Sequence, residues 1–262
     1  MSHDLSHLLA SWPYESGQIN VRLIQGDDGE PKVQMRLDLG VLQMEAFGPP
    51  DGVRPHGYDS LLESFETMLD EAYDDSDPDA DEPDHDDPDF SIGPEDCRKL
   101  REEAVQYYHR YISLLILGEF MGVLRDTTRN LRLVDFMSRY AENEDDRQML
   151  EQFRPYITMM RARAIASQMI ADDEPKAAIF FIDKGLEELR GLYQESGHPD
   201  QFESSHEAQI LGAMRNELSK KLPSSQSTEL RQRLDEAIRN ENYELAAILR
   251  DELRMLGPDT NA

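Results

Sequence analysis

The chain has 262 residues, enough for one large or two small cores, and its 54 acidic against 27 basic side chains give a formal net charge of −27. This balance argues against direct nucleic-acid binding, which needs Lys and Arg to displace phosphate counterions, and it predicts repulsion from anionic membrane surfaces. No apolar run reaches the roughly 18–20 residues of a membrane helix, and the first residues lack a basic segment followed by an apolar one, so neither a span nor a secretory signal is expected. A lone cysteine, Cys97, excludes an internal disulfide and a multi-cysteine zinc site, and a cytoplasmic chain without cofactor is expected.

Taken in chain order, Asp4 to Ser11 reads as a short helix ending before Pro13. Ile19, Val21 and Leu23 then alternate with polar residues, Gly26-Asp27-Asp28-Gly29 is a turn sequence, and Val33, Met35, Leu37 and Leu39 alternate again. Gly40 opens a third run through Leu42, Met44 and Ala46 to Phe47. Residues 18–47 are therefore expected to form a small antiparallel meander, closed by Pro49-Pro50, which cannot donate to a ladder. A helix is expected from about Tyr58 to Ala72, with Leu61, Leu62, Phe65, Met68 and Leu69 on one face.

Twelve of the twenty residues from Asp70 to Asp89 are acidic, and none is Lys or Arg. With three prolines and little to bury, this stretch reads as a disordered acidic linker. Its Asp75, Asp77, Asp79 and Asp86 echo the spacing of a calcium loop. Ala80 stands where the sharp turn needs glycine, and Asp86 where a bidentate Glu is required, so no metal site is expected.

From Gly93-Pro94-Glu95-Asp96, a helix start with acids at the positive end of the dipole, the reading is helical. Cys97 in that first turn is expected to be an inert, partly buried thiol, and Tyr107, Tyr108 and Tyr111 to pack between helices. Leu117-Gly118-Glu119-Phe120 and Asp172-Asp173-Glu174-Pro175 mark the turns of two helical hairpins, the two glutamates 55 residues apart. The first turn is similar to that of tetratricopeptide repeats, whose period of about 34 residues is absent. Ser204-Ser205-His206-Glu207 offers a capping box for a helix ending near Leu222. The fold class is α+β, with an N-terminal module over 1–72, an acidic linker over 73–93, a helical-hairpin domain over 94–195, a linker with one helix over 196–225, and a last hairpin over 226–257.

In that last hairpin, Leu230, Leu234, Ala237 and Ile238 share one helical face. Asn240 and Asn242 suit a turn and a new N-cap, and Ala246, Leu249, Leu253 and Leu256 make a second apolar face ended by Gly257-Pro258. Together Leu230, Leu234, Ala237, Tyr243-Glu244, Ala246-Ala247, Leu249-Arg250-Asp251, Leu253 and Leu256 resemble the UVR (UvrB/UvrC) motif, over little more than a tenth of the chain. The motif occurs in excision-repair subunits and in adaptors and subunits of Clp-type proteolysis. The resemblance implies a non-catalytic protein-binding hairpin that docks a second hairpin of its kind, in a partner or in another copy of this chain. It implies partner contacts through Leu234, Ala237, Tyr243, Glu244, Ala246, Ala247, Arg250, Asp251 and Leu253, the paired alanines permitting close approach. Clp-type adaptors with this motif usually carry CxxC zinc sites, which this chain lacks.

The expected function is thus a cytoplasmic scaffold or adaptor. Two other readings stay open: an enzyme or ligand-binding domain on the proline-stiffened loop with Arg54, His56, Tyr58 and Asp59, and an acidic nucleic-acid mimic built on the Asp-rich run. The charge makes one outcome testable at once. The isolated protein should show no submicromolar affinity for duplex DNA at physiological salt in an anisotropy titration, and such binding would contradict the electrostatic argument.

Overall fold

The structure, a computed structural model, describes residues 4–74, 90–221, 226–240 and 242–255. The acidic run beyond Asp74, with its calcium-like spacing, and the Gly257-Pro258 stop lie outside these residues, as do the side chains of Leu230, Glu244 and Leu253. The chain divides into two compact units, Met1–Met214 and Arg215–Ala262.

The first unit opens with α1 (Ser6–Ser11) and the expected meander: β1 (Asn20–Gln25), β2 (Pro31–Arg36) and β3 (Val41–Glu45), antiparallel in the order β1-β2-β3. Pairing of Leu23 with Val33, and of Val33 with Met44, gathers the apolar residues on one face. Two details differ from expectation. The second run stops at Arg36 and not Leu39, because Leu37 N–H bonds Gly40 O at 2.9 Å in a tight turn that leaves Leu39 86% exposed. Ile19, which precedes β1, and Leu23, on this edge strand, are about half exposed.

The polar face of β2 is buried as well. Arg22 Nε donates to Gln34 Oε1 at 2.8 Å, and Gln34 Nε2 donates to Gln43 Oε1 at 2.7 Å, a side-chain ladder across all three strands. Lys32 Nζ reaches Asp28 at 2.6 Å and Glu45 at 2.5 Å. The segment after α1 closes over this face: Arg36 Nε donates to Trp12 O at 2.7 Å, and the Arg22 guanidinium stacks 4.1 Å above the Trp12 ring.

The second apolar helix, α2 (Leu61–Asp74), begins three residues later than the periodicity suggested. Ser60 caps it: its Oγ accepts Glu63 N–H at 3.1 Å while the Glu63 carboxylate accepts Asp59 N–H at 3.1 Å. Met68 lies outside the buried stripe of Leu61, Leu62, Phe65 and Leu69. Four long helices follow, α3 (Pro94–Leu117), α4 (Phe120–Tyr140), α6 (Arg154–Ala171) and α7 (Pro175–Glu195), with short α5 (Glu144–Met149) between α4 and α6. Each long helix packs on the next. α8 (His206–Lys221) then starts at Ser205, whose Oγ accepts Ala208 N–H at 3.2 Å; the N3 position is Ala208, so the reciprocal half of the expected capping box is absent.

The two hairpin turns have the same backbone. Gly118 and Asp173 both have positive φ, 79° and 59°, and after each a glutamate N–H reaches back five residues: Glu119 to Leu114 O at 2.9 Å, Glu174 to Met169 O at 2.7 Å. This is a Schellman ending, met once by glycine and once by a short polar residue that tolerates the left-handed region. The chain entering α3 is tied to the exit of α4 by Ile92 N–H to Tyr140 O, 2.8 Å, and Glu142 N–H to Ile92 O, 3.1 Å. Under this clamp lies the main core, where Leu100, Leu133, Met137 and Ile157 meet the α2 stripe.

Cys97 is fully buried in that core, deeper than the sequence suggested, and burial, aided by the Asp146 carboxylate, pushes its thiol up to about 11. Maleimide labelling of the folded protein near neutral pH should therefore be negligible and should appear only with denaturant.

Buried charge joins the sheet to the helices. Arg110 is 1% exposed and Asp126 0%, and the two meet bidentately at 2.7 and 2.8 Å. Replacing Arg110 with Met should cost about 3–5 kcal/mol in urea unfolding, since Asp126 would lose its bidentate partner and keep only its bond to Arg125; changing Asp126→Leu as well should recover part of the loss. At the α6–α7 crossing, a Cβ on Gly185 would overlap the Ala162 methyl and crowd Leu211. Gly185→Ala should accordingly destabilise the protein by about 1–3 kcal/mol, even though alanine is the better helix former.

Candidate partner-binding hairpin

The second unit contains α9 (Gln226–Arg239) and α10 (Tyr243–Met255), which pack on each other. Asn242 makes the turn, as its position suggested. Its N–H bonds Ala237 O at 2.9 Å, and its Oδ1 accepts Leu245 N–H at 3.2 Å, capping α10. Each helix is too short to be stable alone, so the hairpin depends on its internal seam.

That seam is made of small residues. Ala237, Ala246 and Leu249 are buried together, with Leu234 packed against them. Alanine at 237 and 246 lets the two backbones approach closely, and Leu249 fills the remaining space. Adjacent residues on a helix point about 100° apart. Ala246 therefore lies in the seam while Ala247 is exposed, so the paired alanines do different work.

The outer surface of α10 carries apolar side chains. Tyr243 is 68% exposed and Ile248 57%, with Leu245 and Ala247 also exposed, and α9 adds exposed Ile238. Arg250 and Asp251 are exposed and pair with each other, Nη2 to Oδ1 at 3.0 Å. Of the residues expected to bind a partner, then, Leu234, Ala237 and Ala246 hold the hairpin together, while Tyr243, Ala247, Arg250 and Asp251 face outward. Ile238, expected on the apolar face with Leu234 and Ala237, lies outside the seam and is exposed; Leu245 and Ile248 are outward residues that the sequence reading did not single out, apolar residues off the seam stripe being the available signal.

The residues of the alternative loop pair locally or lie exposed. Arg54 Nη1 pairs with Asp59 at 2.5 Å, both exposed, and His56 is an exposed residue with φ of 53° in the short 3-10 turn Pro55–Gly57. Tyr58 N–H bonds Pro55 O at 3.0 Å. Two open cavities among the helices, of about 420 and 790 Å3, are lined by no residue of this loop. Among the described residues no group of three or more His, Cys, Asp or Glu stands close enough to hold a metal ion, and no helix is long and apolar enough to cross a membrane.

No curated protein and no solved structure matches the chain. One family model does, that of the UvrB/uvrC motif, and it matches residues 226–257, the segment containing α9 and α10.

Proposed function

We propose that the protein is a non-catalytic, cytoplasmic adaptor that captures a partner protein through the hairpin of α9 and α10. The observation that carries this reading is the exposed apolar surface of Tyr243, Leu245, Ala247 and Ile248 on a segment matching the UvrB/uvrC motif. Water contact with such residues is unfavourable by roughly 25 cal/mol per Å2 of apolar area, so covering them by another surface is favourable. The seam residues Ala237, Ala246 and Leu249 support it indirectly by presenting the outer side chains on a fixed scaffold. The partner is a second hairpin of the same kind, in excision-repair or Clp-type machinery or in another copy of this chain.

Ala247→Glu places a charge on the outer face without touching the seam. Helicity should persist by circular dichroism, while self-association in sedimentation, and retention of proteins that the parent chain captures, should fall by about tenfold or more. Asp235→Asn, also exposed but on α9, should change neither. Leu249→Glu buries an unpaired carboxylate in the seam and should instead unfold the hairpin, with loss of its helical signal. A folded Ala247→Glu protein that keeps every partner and its association state would overturn this assignment.

A further inference from the structure

The smaller cavity, of about 420 Å3, is a polar groove between α4, α6 and α7. Arg154, Thr158 and Arg161 line it from α6 at i, i+4 and i+7, one face of the helix. Glu188, Gly191, Leu192 and Glu195 line it from α7 with the same spacing, and α4 adds Leu131 and Asp135. Arg154 and Arg161 are seven residues apart, so the two ends of the groove are about 10 Å apart at the helical rise. The hairpin turn sends α7 back along α6. Glu188 therefore meets Arg161 at one end, Nη2 donating to Oε2 at 2.7 Å, and Glu195, two turns further on, belongs to the end of Arg154.

The two ends differ in what they leave unsatisfied. Arg154 is fully engaged, Nη1 with Asp135 at 2.6 Å, Nε and Nη2 with Glu151 at 2.7 and 2.8 Å. Arg161 uses only Nη2, and its Nε and Nη1 have no hydrogen-bond partner among the described residues. Midway along the α6 wall, Thr158 is only 5% exposed, yet its hydroxyl makes no hydrogen bond among the described residues. A buried hydroxyl in that condition is unfavourable until another group bonds it. Glu195, at the far end, is exposed and has no ion-pair partner among the described residues. Gly191 stands midway along the α7 wall. Glycine is a poor helix former, and close packing does not account for it, because a Cβ there would meet no atom within 4 Å, in contrast to Gly185. Its effect is to keep that wall open.

The groove thus offers free donors toward one end, an unpaired carboxylate at the other, and Leu131 and Leu192 between them. Asp135, Glu188 and Glu195 outnumber Arg154 and Arg161 by one, so the lining carries a net negative charge in a chain of −27. We propose that this groove binds a free basic amino acid, lysine or arginine. Its α-carboxylate takes the free donors of Arg161 and the Thr158 hydroxyl, and its α-ammonium lies beside Glu188. Its aliphatic stem passes Gly191 and covers Leu131 and Leu192, and its side-chain cation meets Glu195. The ligand's net positive charge suits the lining, its opposed ends suit the two ends of the groove, and the volume is within the range of small-molecule sites.

The test is isothermal titration calorimetry of the full chain with L-lysine and L-arginine. At least one should bind saturably at one site per chain, with affinity falling as salt is added. Norleucine, which keeps the stem but lacks the terminal cation, and cadaverine, which lacks the carboxylate, should each bind about tenfold or more weakly than lysine. Glu195→Gln, at an exposed position, should remove the advantage of lysine over norleucine, and Thr158→Val should weaken both amino acids. Gly191→Leu fills the groove at a position with room for a side chain and with a better helix former. Its melting temperature should not fall, while lysine and arginine binding should be lost. No saturable binding of either amino acid at millimolar concentration overturns the proposal. So does cadaverine binding as tightly as lysine, since the carboxylate end would then do nothing, and so does unchanged affinity in a folded Gly191→Leu protein.

Discussion

The buried guanidinium of Arg110 is the junction on which the first unit turns. Its Nε and Nη2 hold Asp126 of α4 bidentately, and its Nη1 donates to the carbonyls of Glu45 at 3.0 Å and Gly48 at 2.7 Å. One planar fork thus joins α3, α4 and the chain leaving β3. Arg125 repeats the pattern, with Nε on Asp126 at 2.8 Å and Nη2 on Ala46 O at 3.0 Å. Removing two charges from water is costly, and it is offset only when every donor and acceptor finds a partner in good geometry. Here the partners include the carbonyls of Glu45 and Gly48 at and beyond the end of β3, so the pair and the sheet's position depend on each other.

The same polar seam extends down α3 and captures α2. Tyr107 lies between two guanidinium groups, 4.8 Å from Arg110 and 4.4 Å from Arg129, and its hydroxyl donates to Asp59 O at 3.2 Å. Arg129 pairs with Glu103, whose other oxygen accepts Leu61 N–H at 2.7 Å, the first donor of α2. The apolar stripe of α2 then closes over Phe136 and its neighbours. Directional hydrogen bonds set where α2 and the sheet sit against α3, and area burial then holds them there.

The hairpin of α9 and α10 is held by an alanine seam and leaves Tyr243, Leu245 and Ile248 exposed outside it. The hairpin belongs to a chain of net charge −27, and at physiological salt that charge acts over a Debye length of about 8 Å, a longer range than apolar contact.

Periodicity and turn chemistry made much of the local structure legible. The three strands of the meander, the two hairpin turns at Glu119 and Glu174, the Asn242 cap and the last hairpin follow from spacing and local propensity, which operate within a few residues. Charge balance likewise follows from composition alone. What required the fold was everything set by partners distant in sequence. Lys32, Gln34 and Arg36 alternate like solvent-facing residues, yet Trp12 and its neighbours close over them. Arg110 and Asp126 look like ordinary surface charges of two helices, until packing brings them within 2.7 Å and a strand end supplies two carbonyls. Ala246 and Ala247 are the same residue in sequence, and only the crossing of α9 and α10 decides that one is seam and the other surface. The cavity of about 790 Å3 is the extreme case, because its lining comes from five α-helices and the 3-10 turn Glu151–Phe153, and no window of sequence contains it. Local chemistry sets which elements form; the exclusion of water between them decides which side chains remain available to a partner.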